Sequence, residues 1–130
     1  MKKLMNKKGF TLMEMLIVVA IIVILVAIAI PTFSSSLDDA KKATDDANLR
    51  GAKGIAEVAD MTVNGWADII DEFDAEDGDY QLVYDIEEGA LVSNYDGEGY
   101  GQYGDQKGQV VVVTITDGTL ESVEWGAIPE

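Results

Sequence analysis

From Met15 to Ile30 the chain reads MLIVVAIIVILVAIAI, with no polar side chain to interrupt it. Taken as a helix, the stretch from Phe10 to Ile30 rises roughly 30 Å at about 1.5 Å per residue, the thickness of a bilayer's hydrocarbon core. The run is apolar on all sides, so it must be enclosed by lipid or by other apolar helices. One acid, Glu14, stands at its start. A carboxylate inside a spanning helix costs about 2.5–3.5 kcal/mol on insertion scales and so calls for a partner. Pro31 closes the run; it lacks an N–H and clashes with the preceding turn, which predicts a kink or local opening before the helix resumes. Beyond it Leu37, Ala40, Thr44, Ala47, Gly51, Gly54 with Ile55, Val58, and Met61 with Thr62 recur every three or four residues. Asp38, Asp39, Lys41, Lys42, Asp45, Asp46 and Arg50 lie off that stripe, which marks one face of an amphipathic helix. The reading is one helix from Phe10 to Val63, with an apolar first half and an amphipathic second half, stopped by Asn64-Gly65.

After the helix the spacing changes. Trp66, Ile69, Ile70 and Phe73 fall at i, i+3, i+4 and i+7 and predict a short second helix over 66–73. Asp74 to Asp79 is an acidic turn. Tyr80, Leu82, Tyr84 and Ile86 then alternate with Gln81, Val83, Asp85 and Glu87, a strand with one apolar face. Glu88-Gly89 turns the chain into a second strand, Ala90 to Asn94. Gln109 to Thr116 (QVVVVTIT) is the strongest strand signal, and Asp117-Gly118 joins it by a tight hairpin to a return strand from Thr119 to Trp125. Tyr95 to Gly108, rich in Gly and Tyr, reads as an irregular surface loop with its tyrosines exposed. The expected architecture is α+β: a four-stranded antiparallel β-meander laid across the amphipathic half of the long helix.

Lys7, Lys8, Gly9, Phe10, Thr11, Leu12, Glu14 and Pro31 together carry a resemblance. Basic residues, a Gly, Phe-Thr-Leu-x-Glu and an apolar helix with a Pro near its end closely resemble the class III signal and N-terminal helix of type IV pilins and of the type II secretion pseudopilins. The resemblance covers about a quarter of the chain and implies the pilin fold for the whole. It implies that a prepilin peptidase cuts between Gly9 and Phe10 and methylates the new N-terminus at Phe10. It also implies that Glu14 pairs with the N-terminal ammonium of a neighbouring subunit, with Phe10, Glu14 and Pro31 as the assembly residues. The chain then divides into a leader (1–9), a transmembrane and filament-core helix (10–31), an amphipathic helix half (32–63), a connecting excursion (64–79) and a sheet head (80–130). The implied product is a homo-oligomeric helical filament, an extracellular pilus used in adhesion, motility or secretion. It would be drawn from a single-pass membrane precursor by an assembly platform in the cytoplasmic membrane. A pseudopilin of a secretion or competence system is the alternative within this class, and a membrane-anchored acidic binding module the alternative from another. A plain uncleaved anchor leaves Gly9-Phe10-Thr11-Leu12 and Glu14 unexplained, and no A-x-A-like secretory cleavage site follows the apolar run.

Charge sharpens this picture. Four of the nine basic residues, Lys2, Lys3, Lys7 and Lys8, precede the apolar run, which the positive-inside rule reads as a cytoplasmic N-terminus. Beyond Pro31 five cations stand against 23 acids, a net charge of −18. Such a head is soluble and repels nucleic acid and anionic membrane surfaces. With no Cys no disulfide staples it, a departure from the C-terminal disulfide of many pilins in bacteria with an outer membrane and a tilt toward Gram-positive relatives.

Little in the chain points to catalysis, and the reading is of a protein that is not an enzyme. There is no His to serve as general base, none to activate Ser34-Ser35-Ser36, and no phosphate-binding Gly loop followed by Lys. One constellation suggests a cofactor, calcium. Asn94, Asp96, Glu98, Tyr100 (through its carbonyl), Gln102 and Asp105 fall at positions 1, 3, 5, 7, 9 and 12 of an EF-hand-like loop with Gly99 at position 6, the spacing a hard cation needs. Major pseudopilins, which the chain resembles, also bind calcium in their C-terminal region. Asn at position 1, Asp at position 12 and the absence of flanking helices weigh against the site.

Overall fold

The computed structural model describes residues 9–76 and 78–130. Met1 to Lys8 of the expected leader, with their four cations, lie outside the described residues, as does Asp77 of the acidic turn. The elements run α1 (Leu12–Met61), β1 (Asp79–Asp85), β2 (Ala90–Val92), a 3-10 turn (Gly104–Gln106), β3 (Val110–Thr116) and β4 (Thr119–Gly126). The fold is α+β, one long N-terminal helix and a four-stranded antiparallel sheet. The chain divides into two compact units, with the boundary between Leu37 and Asp38.

In the first unit the helix carries no buried side chain: every residue from Gly9 to Leu37 is exposed. Among the described residues this is the one helix long and apolar enough to cross a membrane. Pro31 lies inside α1 without interrupting it. The expected local opening is not seen as a break. Pro31 withdraws a single N–H from the ladder, and the Thr32 hydroxyl donates to the Ile28 carbonyl at 3.3 Å in the same turn.

The second unit holds the core. Sheet order is β2-β1-β3-β4, every pair antiparallel, so the sheet is not the meander that the order of strands along the chain suggested. The reason is burial. β3 is apolar on both faces, with Val110 to Val113 and Ile115 all buried, and so takes a position flanked on both sides. β2 has three residues and sits at the edge, where a short strand leaves little unpaired backbone. The segment 93–109 carries the chain back past β1. At the β3–β4 hairpin Asp117 (φ 50°) and Gly118 (φ 76°) are both left-handed, the twist-matched turn that Asp-Gly adopts readily.

One face of the sheet gives Leu82, Val113 and Ile115 to a core shared with Ala56 and Ala59 of α1, and with Trp66 and Ile70 beyond it. The helix presents Asp45, Ala52, Ala56 and Ala59 as its buried face, one residue out of phase with the stripe read from sequence. Ala40, Thr44, Ala47, Gly54, Val58 and Met61 are exposed instead. Two small-residue faces compete on this helix, and the bulky partners across the interface choose between them. The predicted second helix over 66–73 is a series of turns: Asp68 N–H donates to Asn64, and Ile69 and Ile70 N–H both donate to Trp66. The apolar spacing survives, since Trp66 and Ile70 are buried with Ile69 and Phe73 packed on them. A single turn gains too few hydrogen bonds to propagate, and Glu72 at φ 59° ends it.

A fragment beginning at Ser34 is expected to be soluble and to show mixed α/β circular dichroism. Within it Leu82→Ala, at 1 % exposure, should cost about 2–5 kcal/mol by urea denaturation. An unfolded fragment would show that the head has no core of its own.

Candidate functional site

The N-terminus of α1 is built by two side chains. Thr11 stands immediately before the helix; its Oγ1 accepts from the Glu14 N–H at 3.1 Å, and its own N–H donates to Glu14 Oε2 at 2.9 Å. Each side chain satisfies a backbone N–H that the first turn leaves without a partner, a capping box. The signal is legible as Thr-x-x-Glu ahead of an apolar run, and reading Glu14 only as a lone acid in need of a partner passes over it. An ionised carboxylate accepts several hydrogen bonds, so the box leaves Oε1 for a second partner, and the carboxylate sits where the helix dipole favours negative charge. Gly9, Phe10 and Glu14 are all exposed. Among the described residues, a Cβ at position 9 would meet no atom within 4 Å.

Pro31, the third expected assembly residue, is exposed within α1, well along the helix from this cap.

The second group of interacting polar residues lies in the head and was not expected. Asp45, assigned by its charge to the solvent face, is 1 % exposed. Its Oδ1 and Oδ2 each accept from the Gln102 N–H at 3.0 Å, and Oδ2 also accepts from the Tyr103 N–H at 2.8 Å. The helix thus holds the Gly/Tyr loop by its backbone. From the other side the Tyr100 hydroxyl donates to the Tyr84 carbonyl at 2.6 Å and accepts from the Val111 N–H at 2.9 Å. Continuing the β1–β3 register past Val83↔Val112 would pair Tyr84 with Val111, so this hydroxyl bridges the two strands where their ladder ends. Its ring meets Trp125 edge-on, with centroids 5.6 Å apart. Burial pushes the Tyr100 hydroxyl up to about 12, against the lowering effect of the Val111 N–H. Tyr95, whose hydroxyl donates to the Glu98 carbonyl, is raised first by burial and then by Asp85, Glu87, Asp96 and Glu98. Between these anchors Gly101 is required, since a Cβ there would overlap the Gln106 carbonyl oxygen and press on Trp125. The loop is therefore docked, and of its tyrosines only Tyr103 remains exposed.

The same docking sets the surroundings of the calcium candidates. Asn94, Asp96 and Glu98 are exposed on the outgoing arm, Asp105 falls in the separate 3-10 turn, and the Tyr100 side chain is committed to the sheet. Among the described residues no group of three or more His, Cys, Asp or Glu is placed to hold a metal.

Two outcomes follow for the head. Asp45→Ala leaves the Gln102 and Tyr103 amides without their acceptor and should cost on the order of 1–3 kcal/mol, with their amide exchange rising before that of β3. The pH dependence rests on Tyr100. The folded chain holds its proton more tightly than the unfolded chain, whose tyrosines titrate near 10, so the stabilisation is full below about pH 10 and is lost as pH climbs to about 12. Denaturation midpoints measured from pH 9 to 12 should fall more steeply for the wild type than for Tyr100→Phe.

Comparison with known proteins bears on the N-terminal group. Residues 4–30 match the family model of the prokaryotic N-terminal methylation motif. Over 61 residues the chain is 43 % identical to the Type IV narrow pilus major component PilA5 of Thermus thermophilus, a stretch that is 47 % of this chain and 53 % of that protein. The chain thus spans about half the length of the curated relative it matches. No solved structure matches the chain. The methylation motif takes in the cap and the apolar run described above, and the likeness to a type IV pilus component stands beside it as a similarity over about half of each protein.

Proposed function

We propose that the chain is the structural subunit of an extracellular type IV pilus, made as a single-pass membrane precursor. One observation carries the reading: an N-terminal helix half that is wholly apolar and wholly exposed, entered through a capped Glu14. The precursor crosses the cytoplasmic membrane with Lys2, Lys3, Lys7 and Lys8 inside. A prepilin peptidase cuts between Gly9 and Phe10 and methylates Phe10; the open surroundings of Gly9 fit a residue chosen for the peptidase rather than for the fold. An assembly platform then draws the subunit from the lipid into a helical homo-oligomer, in which apolar helices replace lipid around one another.

The capping box gives Glu14 two tasks. In the membrane its carboxylate is part-satisfied by the Thr11 N–H, which lowers the cost of carrying it there. In the filament the free oxygen accepts from the Phe10 ammonium of an adjacent subunit, a close pair in a medium of low effective dielectric. Breaking such a pair by removing one partner typically costs about 3–5 kcal/mol.

Glutamine separates the tasks, because its side-chain oxygen still closes the box but carries no charge. Glu14→Gln and Glu14→Val should both insert and be cleaved, yet yield few filaments by electron microscopy per processed subunit. Thr11→Val, losing only the cap at a cost of about 1 kcal/mol, should still assemble. Wild-type filament numbers from Glu14→Gln would remove the ion pair from the mechanism. Mass and N-terminal sequence of the mature chain test the processing itself: N-methylated Phe10 is expected, and a mature chain starting at Met1 or beyond Pro31 would overturn the pilus reading.

A further inference from the structure

The sheet face opposite α1 carries a groove of about 680 Å³ between the arm after β2 and the C-terminal residues. Asp79, Asp96, Glu121 and Glu130 line it together with amides and hydroxyls such as Gln81 and Thr114, and no cation is among the lining residues. The head's cations are gathered elsewhere. Four of the five, Lys41, Lys42, Arg50 and Lys53, fall between Ala40 and Ala56, where only Asp45 and Asp46 oppose them, and Asp45 is buried on the loop amides. Lys42, Arg50 and Lys53 are exposed and share one side of α1, at i, i+8 and i+11, with Asp46 between them and Glu57 at its end. Outside this stretch the chain beyond Pro31 holds Lys107 against 21 acids.

We propose that in the filament the acidic groove of one head receives the Lys42–Arg50–Lys53 side of α1 from a neighbouring subunit. The proposal rests on the filament reading and says how heads of like net charge come into contact. Charges further apart than about 8 Å are screened at physiological ionic strength, so the repulsion between heads is decided by what lies at the contact. Two acidic sheet faces repel there. Only the helix stretch in which cations outnumber acids meets the groove with opposite sign, and opposite-sign patches fix the register of association more than its strength. Within one subunit the sheet lies between the helix and the groove, so a direct link between them joins two copies.

Purified wild-type filaments treated with a carbodiimide form amide bonds only between a carboxylate and an amine already in contact. Mass spectrometry should find Lys42 or Lys53 joined to Asp79, Asp96 or Glu121; links from these lysines solely to other carboxylates overturn the proposal. Charge exchange tests it in the cell. Lys42→Glu with Lys53→Glu, and separately Asp79→Lys with Asp96→Lys, should each reduce filaments per processed subunit by about tenfold or more, and all four together should recover most of that loss. A pair that assembles like the wild type, or a four-residue exchange no better than either pair, counts against it. Wild-type chains cut at Phe10 and found in filaments that lack these links sink this proposal alone. Chains that are never cut and form no filaments sink the filament reading, and this one with it.

Discussion

Everything in this molecule answers to one constraint: among the described residues, nothing covers the first half of α1. An unbroken run of apolar side chains stands exposed from Met15 to Ile30, and water is not a tolerable solvent for it. Lipid and other apolar helices are the two surroundings that satisfy it, and passage from one to the other loses little burial in either direction. Apolar contact is non-directional, however, and cannot set how far one helix slides along the next. A single charged group at a fixed height can. The Thr11–Glu14 box fixes that height, because it ties the carboxylate to the first turn rather than leaving it on a mobile side chain.

The head solves a different problem. It is small, has no Cys and carries 23 acids beyond Pro31. What joins its helix to its sheet, beyond the shared apolar core, is the loop from Tyr95 to Gly108, held near its middle by a buried carboxylate on one side and a half-buried phenol on the other. Both anchors bond to backbone, which side-chain variation elsewhere in the loop leaves undisturbed. Asp60 repeats the device at the far end of the helix, where its Oδ1 accepts from Trp66 Nε1 at 3.2 Å and from the Leu120 N–H at 2.8 Å. Two acids that composition assigns to solubility are thus the polar ties between helix and sheet.

Periodicity made the long helix, the four strands and the Asp117-Gly118 hairpin legible, because each rests on local pattern that tertiary contacts did not override. What it missed was non-local. The helix face came out one residue off since Ala47 and Ala52 are equally good helix surface until Trp66 and Leu82 arrive, and Asp45 looked exposed because its partners are amides 57 residues away. Strand order is likewise set by which strand is buried on both faces, not by which comes next. At the N-terminus the resemblance supplies Gly9, Phe10 and Glu14, while the capping box is present in the letters as Thr11-x-x-Glu14. The oxygen spacing of the loop is legible too, whereas the letters do not carry that Tyr100 gives its hydroxyl to the two strands.

The two halves of the chain place opposite demands on assembly, and their combination has a physical consequence. The apolar helix favours association of any copies in any register, whereas a strongly acidic head opposes association of all of them. If the head were neutral, apolar helices freed from lipid would aggregate without order; if the stem were polar, the heads would simply keep the chains apart. With both present, association is favourable only where the helices are enclosed and the heads meet at surfaces of opposite sign. Screening confines the electrostatic part to the contact itself, so specificity comes from a few residues on each side rather than from the net charge. In the filament proposed above, the head's charge then serves to refuse wrong arrangements. The cations that remain on it matter because there are so few of them.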